Sequence, residues 1–171
     1  PDEVARDYLC KWTSGTASSP FTPAMSDKIR SSEVRVEHLE FTKENYILRW
    51  YVPEDRINYE MNNSKYILGL DTSEASGGDD IGFYLVNAKN LKVMCTAKIN
   101  ETNIITFSQW LAEFLAKYRT VTVIPERRST GSSVVDYLLR ILPSLGEDPS
   151  KRIFNMVAHD YDVDRERYED M

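Results

Sequence analysis

Two acids, Asp71 and Glu126, each close an apolar, strand-like run: "KYILGLD" at 65–71 and "VTVIPE" at 121–126. If those runs are parallel neighbours, both carboxylates leave the sheet at the carboxyl ends of its strands, the edge where ligand sites of open α/β sheets form. Two carboxylates at close range repel each other, and burial worsens the conflict. A hard divalent cation such as Mg²⁺ or Mn²⁺ resolves it, because such ions take oxygen ligands. Two ions about 4 Å apart can activate water and stabilise the leaving oxygen of a phosphodiester. The plainer alternative is that each acid only ends its strand and opens a turn.

Around this pair lie further candidates. Asp79 and Asp80 follow the turn "TSEASGG" and stand just before the next apolar run. Either could add a ligand through water, or merely solvate the turn, and Glu74 is similar with weaker support. "RRSTG" follows Glu126 directly. Arg127 and Arg128 suit backbone phosphates. Ser129, Thr130, Gly131 and the amides opening the next helix form an anion site. The alternative is a helix cap with two exposed arginines. His38 and His159 are isolated and read as surface residues. The chain has no phosphate-binding G-x-x-x-x-G-K-[ST] motif and no G-x-S-x-G elbow.

The elements that must position these residues are legible from residue 65 onward. "KYILGLD", "IGFYLVN" (81–87) and "KVMCTAKI" (92–99) are three strands with short connections, as antiparallel neighbours have. Ser108 reads as the N-cap of "QWLAEFLAKY", whose Trp110, Leu111, Phe114, Leu115 and Tyr118 share one helical face. The strand 121–126 follows, then a helix over "VVDYLLRILPSL" ended by Pro143 and Gly146, then a strand candidate at 152–158. This order predicts an α/β mixed sheet, three antiparallel strands and then parallel ones, flanked by helices. A right-handed crossover through the first helix sets the last strands. Residues 1–64 read differently. A helix is expected near Val4–Trp12 and a strand at Tyr46–Val52. The Ser/Thr/Pro-rich "TSGTASSPFTPAMS" between them is expected to be irregular, and Pro53 with a polar run closes the segment. We expect 1–64 to be an arm or connector and 65–171 the folded domain.

The 171 residues suffice for one compact domain with an extra arm, and the composition is that of a globular protein. No apolar run approaches the length of a membrane span, and the charged opening "PDEVARDYLCKW" is no signal peptide. Pro1 in place of Met points to a fragment. Cys10 and Cys95 have no ligand spacing, so buried thiols in a reducing cytoplasm are expected. The net charge of −6 opposes a whole-surface attraction to nucleic acid but leaves room for a local basic patch. The alternating charges of "HDYDVDRERYEDM" read as a solvated face.

Taken together, "YILGLDTSEASGGDDIGFYLVN", "FSQWLAEFLAKY" and "VTVIPERRSTGSSVVDYLL" resemble the nuclease domain of tailed-phage large terminase subunits. The likeness covers roughly residues 65–142. It rests on a strand ending Gly-x-Asp, a small-residue turn with another Asp, and a Glu followed by a polar pair and Thr-Gly. "ARDYLCKWTSGTASSPFTPAMSDKIRSS" is similar to the stretch leaving the motor domain in such proteins. The resemblance implies a ribonuclease-H-like fold and a Mg²⁺- or Mn²⁺-dependent endonuclease, with two ions expected in the site, that cuts concatemeric double-stranded viral DNA. It implies Asp71 and Glu126 as metal ligands and catalytic residues, and Asp79 as a further acidic ligand. Arg127, Arg128, Ser129, Thr130 and Gly131 would hold the DNA. The motor ATPase domain, the small terminase subunit and the portal would be partners, in the host cytoplasm and with no membrane. The family's late Asp has no counterpart among Asp160, Asp162, Asp164 and Asp170, so the chain is expected to stop before it. Two other readings remain open: a resolvase- or transposase-type nuclease of the same fold, and a non-catalytic docking module.

Overall fold

The computed structural model describes residues 22–72, 80–100, 102–126, 130–154, 161–162 and 167–168. The chain forms two compact units, 1–35 and 36–171. In the first, the described part holds helix α1 (Pro23–Ser31). The irregular structure expected for this Ser/Thr/Pro-rich stretch gives way to a helix at its end, because Thr22 and Pro23 make a start signal. Thr22 Oγ1 accepts from the Met25 amide at 3.3 Å, and a proline in the first turn has no amide to leave unpaired. The helix expected near Val4–Trp12 lies outside the described residues.

The second unit is built on one six-stranded mixed sheet. Its strands are β1 (His38–Phe41), β2 (Ile47–Trp50), β3 (Tyr66–Asp71), β4 (Ile81–Asn87), β5 (Val93–Ile99) and β6 (Val121–Pro125), in the spatial order β1-β2-β5-β4-β3-β6. All neighbours are antiparallel except β3 and β6, which are parallel. This is the mixed α/β sheet the apolar runs predict. It also takes in β1 and β2, from the stretch read as an arm or connector: their buried Leu48 and Trp50 belong to the same core.

Three long helices carry apolar stripes into that core: α2 (Glu54–Asn63), α3 (Ile104–Lys117) and α4 (Thr130–Ser144). The polar run "EDRINYEMNN" hides α2 from a sequence reading, because only Ile57 and Met61, four apart, are buried. Pro53 precedes it and Glu54 and Asp55 fill its first turn, where the helix dipole favours acids. α3 begins earlier than Ser108. Asn103 is the N-cap, its side chain accepting from the Thr106 amide at 2.9 Å. Ser108 is instead buried inside the helix, its hydroxyl donating to the Ile104 carbonyl at 2.7 Å. Phe83, Phe107, Trp110 and Phe114 then stack as an aromatic layer between helix and sheet, with Phe83 and Phe114 edge-to-face at 5.4 Å. Burial in this core raises the pKa of the Cys95 thiol and keeps it protonated.

α4 runs through Pro143 and stops at Gly146, whose φ of +75° suits glycine. Amides of Gly146 and Glu147 return to the carbonyls of Pro143 and Leu142 at 3.1 and 3.0 Å, a closing pattern of helix ends. A short helix, α5 (Pro149–Arg152), replaces the start of the strand expected at 152–158. Ile153 then bridges Val123 in parallel, and the Phe154 amide donates to Val123 O at 2.9 Å. The remainder of that candidate lies outside the described residues. In the tail, β7 (Tyr161–Asp162) and β8 (Arg167–Tyr168) pair antiparallel. Among the described residues, no helix is long and apolar enough to cross a membrane.

Candidate functional site

Strand alternation decides where the candidate acids point. In β3, Tyr66, Leu68 and Leu70 are buried, so Gly69 and Asp71 lie on the opposite face. In β6, Val121, Val123 and Pro125 are buried, which places Ile124 and Glu126 on that same outer face. The parallel register sets Leu70 against Pro125, and the Glu126 amide donates to Leu70 O at 2.8 Å. Asp71 and Glu126 are therefore side by side on adjacent strand ends, both exposed and both lining one open cleft of about 900 Å³.

Two glycines shape this cleft. Gly82 pairs with Asp71 and Gly69 with Tyr84 across the β3–β4 ladder, so the floor carries no side chain at 82 and 69, with Tyr84 and Ile124 flanking those positions. A Cβ on Gly82 would come into contact with the Asp71 Cβ at 3.4 Å. Gly131 does a different job at the start of α4. It is buried, and a Cβ there would stand 1.7 Å from the Glu126 carbonyl oxygen and 2.8 Å from Thr72 Oγ1. Only glycine lets α4 press this closely against the backbone that carries Glu126. Next to it, the Thr130 hydroxyl donates to Thr72 O at 3.4 Å, tying the helix to the residue that follows Asp71. Thr72 is itself buried, and its hydroxyl has no hydrogen-bond partner among the described residues.

The other sequence candidates fall as follows. Asp80 is exposed immediately before β4. Asp79, Glu74, Arg127, Arg128 and Ser129 lie outside the described residues. Thr130 is half-buried, and Gly131 meets its neighbours as a packing residue. Among the described residues no three His, Cys, Asp or Glu side chains gather as a metal group. The donor set is thus a pair of adjacent carboxylates, hard oxygen ligands with open space before them. That chemistry fits a hydrated Mg²⁺ or Mn²⁺. Sequence reasoning missed the opposite wall of the cleft, formed by Arg49 of β2 and Lys98 of β5. Period-two alternation in "VMCTAKI" turns Lys98 outward, but only the strand order shows that it faces Asp71.

No family model matches the chain, and no curated protein matches it. Among solved structures, the chain is similar to the crystal structure of the large terminase nuclease from thermophilic phage G20c. That likeness covers 55% of this chain and 45% of the other, at 15% sequence identity and a TM-score of 0.38.

Proposed function

We propose that this chain is a metal-dependent DNA endonuclease domain of the terminase type. The observation that carries the reading is the pairing of Asp71 and Glu126 on parallel neighbouring strands, open to one cleft whose floor beside Asp71 is Gly82. The motif pattern of residues 65–142, which resembles terminase nucleases, supports it.

In this reading Asp71 and Glu126 hold Mg²⁺ or Mn²⁺. When bound, the ion supplies Lewis-acid stabilisation and lowers the pKa of a coordinated water. The carboxylate pair suffices to hold one ion. A second calls on the acidic turn, with Asp79 and Asp80 as its ligands. The chain's own part is to fix the two carboxylates and keep the floor clear for a phosphodiester. Gly131 and Thr130 brace the Glu126 and Thr72 backbones. Arg127, Arg128 and Ser129 steady the DNA beside them. Double-stranded DNA is the substrate. The packaging partners are a motor ATPase domain, a small terminase subunit and a portal, in the cytoplasm of an infected host.

Plasmid nicking in Mn²⁺ tests the proposal. Asp71→Ala and Glu126→Ala each cut at least about a hundredfold more slowly than the parent chain, since Lewis-acid stabilisation contributes several kcal/mol and about 1.4 kcal/mol is tenfold in rate. Their far-UV circular dichroism matches the parent's, because both side chains are exposed. Parental cutting rates in both variants contradict the assignment.

A further inference from the structure

We infer that Lys98 and Arg49 form a phosphate-holding wall that lays one DNA strand across the outer face of the sheet. The inference rests on the endonuclease reading and names where its substrate lies. Lys98 pairs with Gly82, and Gly82 pairs with Asp71, so the three occupy one transverse row on three adjacent strands. Neighbouring strands are about 4.8 Å apart, which sets the Lys98 and Asp71 backbones about 10 Å from each other. Nothing stands between them on this face, because the middle residue is glycine. The four-carbon stem of Lys98 is long enough to carry its ammonium well into that gap.

The next row brings in the second cation, with the Thr96 and Tyr84 side chains between it and Gly69. Arg49 pairs with Thr96, Thr96 with Tyr84, Tyr84 with Gly69 and Gly69 with Ile124. Lys98 and Thr96 are two residues apart on β5 and so share a face, about 6.8 Å apart along the strand. Arg49 and Lys98 are thus neighbours on one wall, and Asp71 and Glu126 stand on the other. Neither cation makes an ion pair among the described residues. In a chain of net charge −6, two cations without an ion pair among the described residues, Lys98 facing Asp71 across Gly82 and Arg49 one row further along beyond Thr96 and Tyr84, match a polyanion that also needs a divalent ion. A phosphodiester lying in the cleft would reach Lys98 on this wall and the carboxylate side on the other, with the neighbouring phosphate toward Arg49.

The test is binding of a fluorescein-labelled 30-base-pair duplex to the whole chain in EDTA, followed across a salt series. Removing the metal leaves the cations as the source of attraction. Lys98→Met and Arg49→Gln each weaken binding severalfold and each lower the slope of log K against log salt by about 1. Lys98→Arg restores the slope. Lys89→Gln, which makes the same charge change in the turn at the far end of β4, leaves it unchanged. A parent chain that binds no duplex in EDTA, or unchanged slopes in Lys98→Met and Arg49→Gln, overturns the inference. Mn²⁺-induced thermal stabilisation, measured in parallel, separates it from the reading beneath: its absence in the parent sinks the metal site, while the slopes still judge the wall.

Discussion

Glu147 and the Asp71–Glu126 pair are both acidic places in the same compact unit, and the chain treats them in opposite ways. Glu147 follows α4 and is buried, and two arginines answer its charge. Arg152 donates to it through Nε at 2.8 Å and through its terminal guanidinium nitrogen at 2.7 Å, and Arg119 meets the other oxygen at 2.8 Å. Arg152 also donates to the Arg119 carbonyl, closing the corner between α5 and β6. The hydrogen bond from Arg152, aided by the charges of both arginines, holds the Glu147 carboxyl below its ordinary pKa. Asp71 and Glu126 are exposed, adjacent, and without an ion pair among the described residues. Where an acid serves the fold, this chain brings the counterion itself. Where two acids open on the cleft, no ion pair among the described residues answers them.

Breaking the internal ion pair has the larger effect on folding. Glu147→Ala leaves the buried Arg152 guanidinium without its carboxylate and lowers the thermal midpoint more than any change at Asp71 or Glu126 does. Its pH dependence follows from the same hydrogen bonds. The folded chain holds Glu147 as a stronger acid than the unfolded chain, so the pair's contribution is whole above the ordinary value of 4.5 and is lost as pH falls through the lower folded value. Thermal midpoints followed down to about pH 3 therefore fall more steeply in the parent than in Glu147→Gln. Parallel curves for the two would remove the ion pair from the acid response.

A smaller effect joins the two regions. Gly131→Ala forces a methyl group onto the Glu126 carbonyl, and overpacking of this kind costs about 1–3 kcal/mol. Unlike the Glu147 variants, it also shifts a cleft carboxylate, so Mn²⁺ stabilises the variant less than the parent. Calorimetric scans with and without Mn²⁺ check both parts. An unchanged Mn²⁺ increment would mean that the helix α4 contact does not position Glu126.

Much of this arrangement is legible in the sequence, and what is not has physical reasons. The strands 66–71, 81–87, 93–99 and 121–125 follow from apolar runs bounded by turns, and the parallel crossover that joins Asp71 to Glu126 follows from their order. Helix α2 escapes because two buried residues, Ile57 and Met61, are too few to raise a periodic signal above a polar background. The α3 start shifts because the capping ability of the Asn103 amide oxygen competes with that of Ser108, and only packing shows that the Ser108 side chain faces the core. Arg49 and Lys98 escape for another reason. They are 49 positions apart in the chain, and their nearness depends on β2 pairing with β5, which no local pattern announces.

The most direct test of the central claim is a crystal of the chain soaked in Mn²⁺ and measured at the manganese edge. The paired-carboxylate site predicts an anomalous peak within coordinating distance of both Asp71 and Glu126, lost in Asp71→Asn. A soaked crystal with no peak there, or with manganese bound only elsewhere, would contradict it.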